Sequence, residues 1–298
     1  MRLLGICLIV ISASAFGAMP IFAHFAYGAG VTPLTALFFR FAIAALVLWV
    51  TLIIRRVPPP KPDNCKILML LGGIGFVVQS ITFFTALTVA SPGLVVLLLY
   101  LYPTIVVGIS IFCLNLPSSP TKLMALMISL LGTVLTIGPV EKAQLLGVFL
   151  GLVSAVVYAI YVLVGDRVMQ DESPLTACTV MVSSAAVVFG GIVAVQGVSL
   201  PTRGEGWMAI AALGLISTVV AIGALFSGIK CLGAPTASML STLEPVVTIV
   251  LAVLILKQPI TAMQLVGGAL IVMAVMLLSL EKRLPQLCPT DFVNDSSA

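Results

Sequence analysis

The chain has 298 residues, 61% of them hydrophobic and only 8% charged, with a net charge of +4. A soluble domain carries about 25% charged residues, so this composition suits lipid rather than water, and the small net charge gives no basis for a nucleic-acid partner. A single histidine, and no CxxC pair among Cys7, Cys65, Cys113, Cys178, Cys231 and Cys288, argue against a His-based metal site, a zinc site or a disulfide framework; the cysteines read as unpaired thiols.

A membrane-spanning helix needs about 20 mostly apolar residues. Ten runs qualify: 3–27, 34–54, 67–88, 92–114, 122–140, 145–165, 174–196, 207–229, 235–255 and 261–280. The expected fold class is therefore an all-α integral membrane protein of ten transmembrane helices. The breaks are short and rich in turn formers, such as Arg55-Arg56-Val57-Pro58-Pro59-Pro60. Residues 281–298 read as a disordered cytoplasmic tail.

The first run opens with Met1-Arg2 and contains Ala13-Ser14-Ala15, a pattern like that of a cleavable signal; His24 near its end reads as interfacial. The second carries Arg40, about six residues or ~9 Å from the outer end. Arg40 either snorkels to the headgroups or faces the bundle to pair with Glu244 or a substrate carboxylate. On the third, Phe76, Gln79 and Phe83 share a face. The preceding Gly72-Gly73-Ile74-Gly75 follows no strand, so close packing or a gating point explains it better than a phosphate loop.

Tyr100 and Tyr102 stand just before the mid-span Pro103 of the fourth run. On the sixth, Tyr158 and Tyr161 lie one turn past Ser154, and Gly147, Gly151, Ala155 and Ala159 form a small-xxx-small face for close helix contact. On the ninth, Ser238, Ser241 and Glu244 recur every three residues ahead of Pro245. Glu244 is the clearest ionisable group within a span, where such groups are expensive. It reads either as a proton-coupling or substrate-amine site, or as a carboxyl bonded to a neighbouring helix beside the break that Pro245 makes.

Aromatic walls with a few polar groups suit an amphipathic solute. The candidate cavity residues are therefore Gln79, Phe83, Tyr100, Tyr102, Tyr158, Tyr161, Ser241, Glu244 and Arg40, with Pro103 and Pro245 as helix-break or gating points. Packing or an interfacial belt is the plain alternative for each. No catalytic pair, metal site or cofactor is expected.

With the N-terminus inside, Arg2, Arg55, Arg56, Lys61, Lys66, Lys122, Arg167, Lys230, Lys282 and Arg283 fall on the cytoplasmic side, against Lys142, Arg203 and Lys257 outside. That asymmetry places both termini in the cytoplasm.

Sliding the chain along itself until Leu3-Leu4-Gly5 lies on Leu145-Leu146-Gly147 reveals a repeat. The same shift lays Ser12-Ala13 on Ser154-Ala155, Phe16 on Tyr158, Phe84 on Phe226, Leu101-Tyr102-Pro103 on Leu243-Glu244-Pro245 and Pro117 on Pro259. Two copies with an odd number of spans each must lie in opposite orientations. Inverted repeats of this kind recur in secondary transporters, with the site near the midplane between halves. The first span is then the partner of the sixth and belongs to the fold rather than to a leader.

These features resemble the drug/metabolite transporter superfamily and, within it, the EamA-type family. The resemblance rests on Ala234-Pro235-Thr236-Ala237-Ser238-Met239-Leu240-Ser241-Thr242-Leu243-Glu244-Pro245 with Gly267-Gly268, on Phe39-Arg40-Phe41, and on Tyr102-Pro103. It covers the chain as two tandem domains, 1–140 and 145–280. Where the family often has a Gly-Glu pair after the fourth and ninth spans, this chain reads Asn115-Leu116-Pro117 and Lys257-Gln258-Pro259, so a role carried by those glutamates does not transfer. The resemblance implies a carrier of small metabolites such as amino acids or amphipathic compounds, commonly outward, and the repeat suits alternating access; a bacterial inner membrane is the expected location. Its partners would be a small-molecule substrate, the lipid bilayer and, through Glu244, protons. The alternatives are a facilitated exchanger of phosphorylated or sugar-type metabolites, or a membrane scaffold that moves nothing.

Overall fold

The computed structural model describes residues 2–90, 92–114, 119–137, 145–257 and 259–280. The tail at 281–298 with Lys282, Arg283 and Cys288, the loop residues Asn115-Leu116-Pro117, Lys142 and Gln258 lie outside the described residues. The described chain is all α-helical in its regular structure. Nine helices are long and apolar enough to cross a bilayer among these residues: Arg2–Gly28, Pro33–Ile54, Pro62–Ala86, Leu94–Phe112, Leu145–Met169, Pro174–Gln196, Gly204–Leu232, Ala234–Leu256 and Ala262–Leu280. The shorter apolar helix Pro120–Thr136 completes ten spans, numbered below in chain order. Their outer faces carry exposed Leu46, Ile53, Phe112, Val187, Leu254 and Met276, a surface too apolar for water but matched to acyl chains.

The second and seventh spans begin alike. Thr32-Pro33-Leu34-Thr35 and Ser173-Pro174-Leu175-Thr176 each place a hydroxyl at the N-cap, accepting from the backbone N–H of Thr35 at 3.4 Å and of Thr176 at 3.1 Å. Each proline follows the cap, where its missing N–H costs nothing. These starts nearly coincide when the halves are overlaid, and they add a marker to the repeat.

Packing obeys the same symmetry. The first span packs along the eighth as the sixth packs along the third, while the second with the seventh, and the fifth with the tenth, form pairs across the repeat. The Ser12 hydroxyl donates to Ala221 O at 2.8 Å, and its equivalent Ser154 donates to Gln79 O at 3.4 Å; the two acceptors are themselves equivalent under the shift. A side chain at Gly5 would strike Cys231 and Leu232, and one at Gly147 would strike Val89 and Ala90. Gly147, Gly151, Ala155 and Ala159 are all buried, so the small-residue face does bring helices close. At the crossing of the fifth and tenth spans a Cβ on Gly132 would lie 2.7 Å from Gly267 O, and one on Gly267 2.6 Å from Gly132 O.

Four spans change helical geometry midway, in symmetric pairs. The third and eighth contain π-helical segments of 6 residues each, Leu71–Phe76 and Leu215–Val220. The fourth breaks between Leu99 and Tyr102, and the ninth tightens into a 3-10 turn at Ser241–Leu243 before resuming at Glu244. Pro103 and Pro245 sit just inside the resumed helices. Lacking N–H groups, they withhold the i→i−4 bond and force these breaks. The first span also breaks, at Ala18 ahead of Pro20, whereas the sixth runs unbroken over Leu145–Met169.

Cys7, Cys65, Cys113 and Cys178 are free. Cys231 is disulfide-bonded, which corrects the reading of unpaired thiols at that position; spacing along an apolar chain carries no signal for such a pairing.

Candidate functional site

The irregular mid-span segments converge on a buried cluster built around Arg40. Its side chain is 5% exposed and turns into the bundle rather than toward the headgroups. The guanidinium donates from Nε to Thr218 Oγ1 at 2.6 Å, from Nη2 to Ser217 O at 3.1 Å and from Nη1 to Met19 Sδ at 2.9 Å. Ser217 and Thr218 lie in the π segment of the eighth span. Thr218 Oγ1 also bonds Leu213 O at 2.8 Å, a full π turn back, and Ser217 Oγ donates to Ala15 O at 2.8 Å. Arg40 therefore pins the eighth-span π segment from the second span, while Ser217 ties it to the first.

Among the described residues no carboxylate pairs with Arg40; Lys66 and Asp63 do pair, at 3.9 Å, but on the exposed surface far from it. A buried charge normally needs a counter-charge, because desolvation costs several kcal/mol. Here neutral acceptors and two ring faces serve instead: the guanidinium carbon is 5.1 Å from the Phe41 centroid and 5.9 Å from that of Phe76, within cation–π reach.

From there an aromatic chain crosses the bundle. Phe41 stacks on Phe189 at 5.6 Å and meets Phe76 edge-on at 5.0 Å. Phe76 meets Tyr161 at 5.4 Å, which contacts Phe226 at 5.5 Å and Tyr158 at 6.0 Å, and Tyr158 meets Tyr102 at 4.6 Å. These are offset or edge-to-face contacts, the arrangement that ring quadrupoles favour. The Tyr161 hydroxyl is buried without a hydrogen-bond partner among the described residues, at 2% residue exposure.

Glu244 closes the far end. It begins the resumed helix of the ninth span and keeps partial exposure. Tyr100 lies beside its carboxyl. Tyr102 reaches Ser241 and Ser238 O, at 3.5 Å. In an unbroken helix, residues two apart point in nearly opposite directions; the break before Pro103 lets Tyr100 and Tyr102 both turn inward. Gly17 lies against Glu244 O, where a Cβ would sit at 2.8 Å, and Thr248 Oγ1 donates to Gly17 O at 2.9 Å. The break in the first span is thus seated on the break in the ninth. Arg40 and Glu244 are near enough for their charges to attract, without forming an ion pair.

Of the residues expected to line a cavity, Arg40, Tyr100, Tyr102, Tyr158, Tyr161, Ser241 and Glu244 come together here, with Pro103 and Pro245 at the breaks beside them. Gln79 stands apart, its Nε2 donating to Ser154 Oγ at 3.3 Å, and Phe83 rests on Phe84 at 5.6 Å. His24 is exposed beside Phe25. The sequence reading missed Met19, Phe189, Ser217 and Thr218 as neighbours of the site. The Ser217-Thr218 pair, polar and inside an apolar run, was the signal available. Among the described residues no group of His, Cys, Asp and Glu could hold a metal ion. The chemistry on offer is recognition: one cation, one carboxyl and an aromatic wall between them.

The family model described as "EamA-like transporter family" matches residues 3–138 and 145–280. An uncharacterized transporter of Bacillus subtilis, YcbK, is 26% identical over 278 residues, covering 88% of each chain. A second from the same organism, YyaM, is 26% identical over 86% of this chain and 87% of its own. An uncharacterized inner membrane transporter of Salmonella typhimurium, YicL, is 25% identical over 72% of this chain and 73% of its own. A crystal structure at 21% sequence identity superposes with a TM-score of 0.77 over 93% of this chain and 96% of the other, a likeness of fold alone.

Proposed function

Because the chain belongs to the EamA-like transporter family and is a multi-pass membrane transporter rather than an enzyme, we propose that it carries small zwitterionic or amphipathic metabolites, such as amino acids, by alternating access. The observation that carries this reading is the placement of Arg40 and Glu244 toward opposite ends of the Phe76–Tyr161–Tyr158–Tyr102 wall. A solute carboxylate would meet the guanidinium, which has no ionic partner among the described residues, in a bidentate fork. Its ammonium would meet Glu244, and its side chain the rings. Each charge on the solute then replaces a missing counter-charge in the protein, so binding relieves part of the desolvation cost of both.

The direction proposed is outward, from a bacterial inner membrane with both termini in the cytoplasm. The placement of the termini follows the Lys and Arg asymmetry of the loops, the membrane follows the inner-membrane relative YicL, and the outward direction follows the family resemblance. Movement is assigned to the two repeats, 1–140 and 145–280, rocking about the shared site with the π segments and proline breaks as joints. Glu244 is the candidate proton carrier, since it is the ionisable group of the site that can lose its charge by binding a proton.

Flux of labelled amino acids into and out of proteoliposomes tests the reading, with analogues that lack the carboxylate or the amine as competitors. Zwitterions should compete and single-charge analogues should not. If Glu244→Gln leaves both flux and its pH dependence unchanged, proton coupling through Glu244 is wrong. If a folded, reconstituted protein moves no zwitterion, the solute class is wrong.

A further inference from the structure

Apart from the central site, Glu172 is the other charged residue among the buried polar groups, at 8% exposure. It lies in the turn between the sixth and seventh spans, at the end of the bundle bearing Arg55, Arg56, Lys61, Lys66, Arg167 and Lys230. Its Oε1 accepts from Lys61 N–H at 2.9 Å and from Asn64 Nδ2 at 2.8 Å. Lys61 is the N-cap of the helix that starts the third span, and its own side chain makes no capping bond. Glu172 supplies that cap from the other half of the chain, placing a carboxylate where the helix dipole and free N–H groups favour one. Lys230 Nζ, at the end of the eighth span, donates to Glu172 O at 3.0 Å. One residue thus ties the start of a first-half span to two second-half spans.

The repeat supplies an internal control at the opposite end. There, Thr35 Oγ1 accepts from Ser199 N–H at 3.2 Å, matching the bond from Thr176 Oγ1 to Pro58 O at 3.3 Å; aligning the two threonines also aligns Pro58 with Ser199. The bond reverses because Pro58 has no N–H to give. Beside it, where Glu172 grips Lys61, the equivalent contact is neutral: Thr202 donates from its N–H and its hydroxyl to Ala29 O, each at 3.0 Å. Two identical inverted halves would make the two ends interchangeable, with neither favoured. Charge-assisted hydrogen bonds exceed neutral ones by a factor of about two, so this pair of ends is unequal.

We propose that Glu172 is a conformational latch that holds the Lys/Arg-rich end closed and biases the alternating equilibrium toward the state open at the other end. Its purpose rests on the carrier reading, but its test needs no solute. Cys178, on the seventh span beyond the latch, is fully buried and free, so it serves as a native reporter of opening. In the full-length protein in vesicles, the rate of maleimide modification at Cys178 is read by peptide mass spectrometry, with the exposed Cys7 and Cys113 as references. Glu172→Ala should raise the Cys178 rate about tenfold or more, the equivalent of losing a charged hydrogen bond. Asn64→Ala, which removes one donor and leaves the carboxylate, should raise it less, and Thr202→Val at the opposite end should leave it unchanged. A folded Glu172→Ala or Asn64→Ala protein whose Cys178 rate matches wild type overturns the latch, as does an equal rise in Thr202→Val. Failure of zwitterion flux with these rates as expected would overturn the solute class and leave the latch standing.

Discussion

The scaffold of the first half returns almost bond for bond in the second, and its charges do not. Ser12 and Ser154 donate to equivalent carbonyls, the π segments and proline breaks recur at matching depths, and Gly5 and Gly147 admit equivalent neighbours. The same shift carries Arg40 onto Val182, Glu244 onto Tyr102 and Phe76 onto Thr218. A repeated helix pair must keep its small residues and hydroxyls because close packing depends on them. A binding site between the halves has no such constraint. In the proposed site, one cation and one carboxyl, placed once each, would give an orientation that a symmetric pair of either would not.

Arg40→Ala is expected to have the largest effect. It removes the cationic pole and the donors to Thr218 Oγ1 and Ser217 O, so proteoliposome flux should fall by about a hundredfold or more. Arg40→Lys should rescue little, since a point charge cannot reproduce the three-way fork. Retained flux in either variant would move function off the asymmetric residues.

Next come Gly72→Ala and Gly214→Ala, a matched pair under the shift. A Cβ at Gly72 would run into the Met181 carbonyl, which is backbone and cannot swing away; at Gly214 the obstacle is the Ile43 side chain, at 2.8 Å. Thermal melting in detergent should show a loss of about 3 kcal/mol for Gly72→Ala and about 1 kcal/mol for Gly214→Ala. Equal losses would mean that the two crossings are as alike in tightness as in position.

Ser12→Ala and Ser154→Ala should each cost about 1 kcal/mol. Ser154→Ala should cost the more, because Gln79 Nε2 also loses its acceptor. Tyr161→Phe should change stability by less than about 0.5 kcal/mol, since its hydroxyl has no hydrogen-bond partner among the described residues. A clear drop in zwitterion affinity with unchanged melting would place that hydroxyl against the solute.

Much of this architecture was legible in the chain. Apolar runs of spanning length, the paired Leu-Tyr-Pro and Leu-Glu-Pro sequences and the recurring glycines specify ten helices, their breaks and their relation, because bilayer thickness and proline geometry act locally. Arg40 and Glu244 stood out for the same reason, as groups that an apolar run has to justify. The neighbours they acquired were not legible. Ser217 and Thr218 lie in the other half of the chain from Arg40, and the bond depends on a π segment that nothing in Leu215–Val220 announces. Gln79 and Phe83 shared a helical face with Phe76, yet the π segment turns Phe76 into the cluster while Gln79 serves the sixth span. Glu172 carries no sequence signal of the contacts it makes, since Lys61 and Asn64 lie in the other half of the chain.

The sequence by itself therefore determined the membrane as solvent, the number of spans, the repeat and the family, all properties that short-range chemistry and self-similarity record. Only the tertiary structure decided that Arg40 faces inward without a carboxylate partner among the described residues, that the aromatic chain links it toward Glu244, and that Glu172 grips one end of the bundle where a neutral threonine contact stands at the other. Those outcomes depend on which helices cross and at what rotation. Rotation is set by the sum of many weak contacts between distant residues, and no local window of sequence contains that sum.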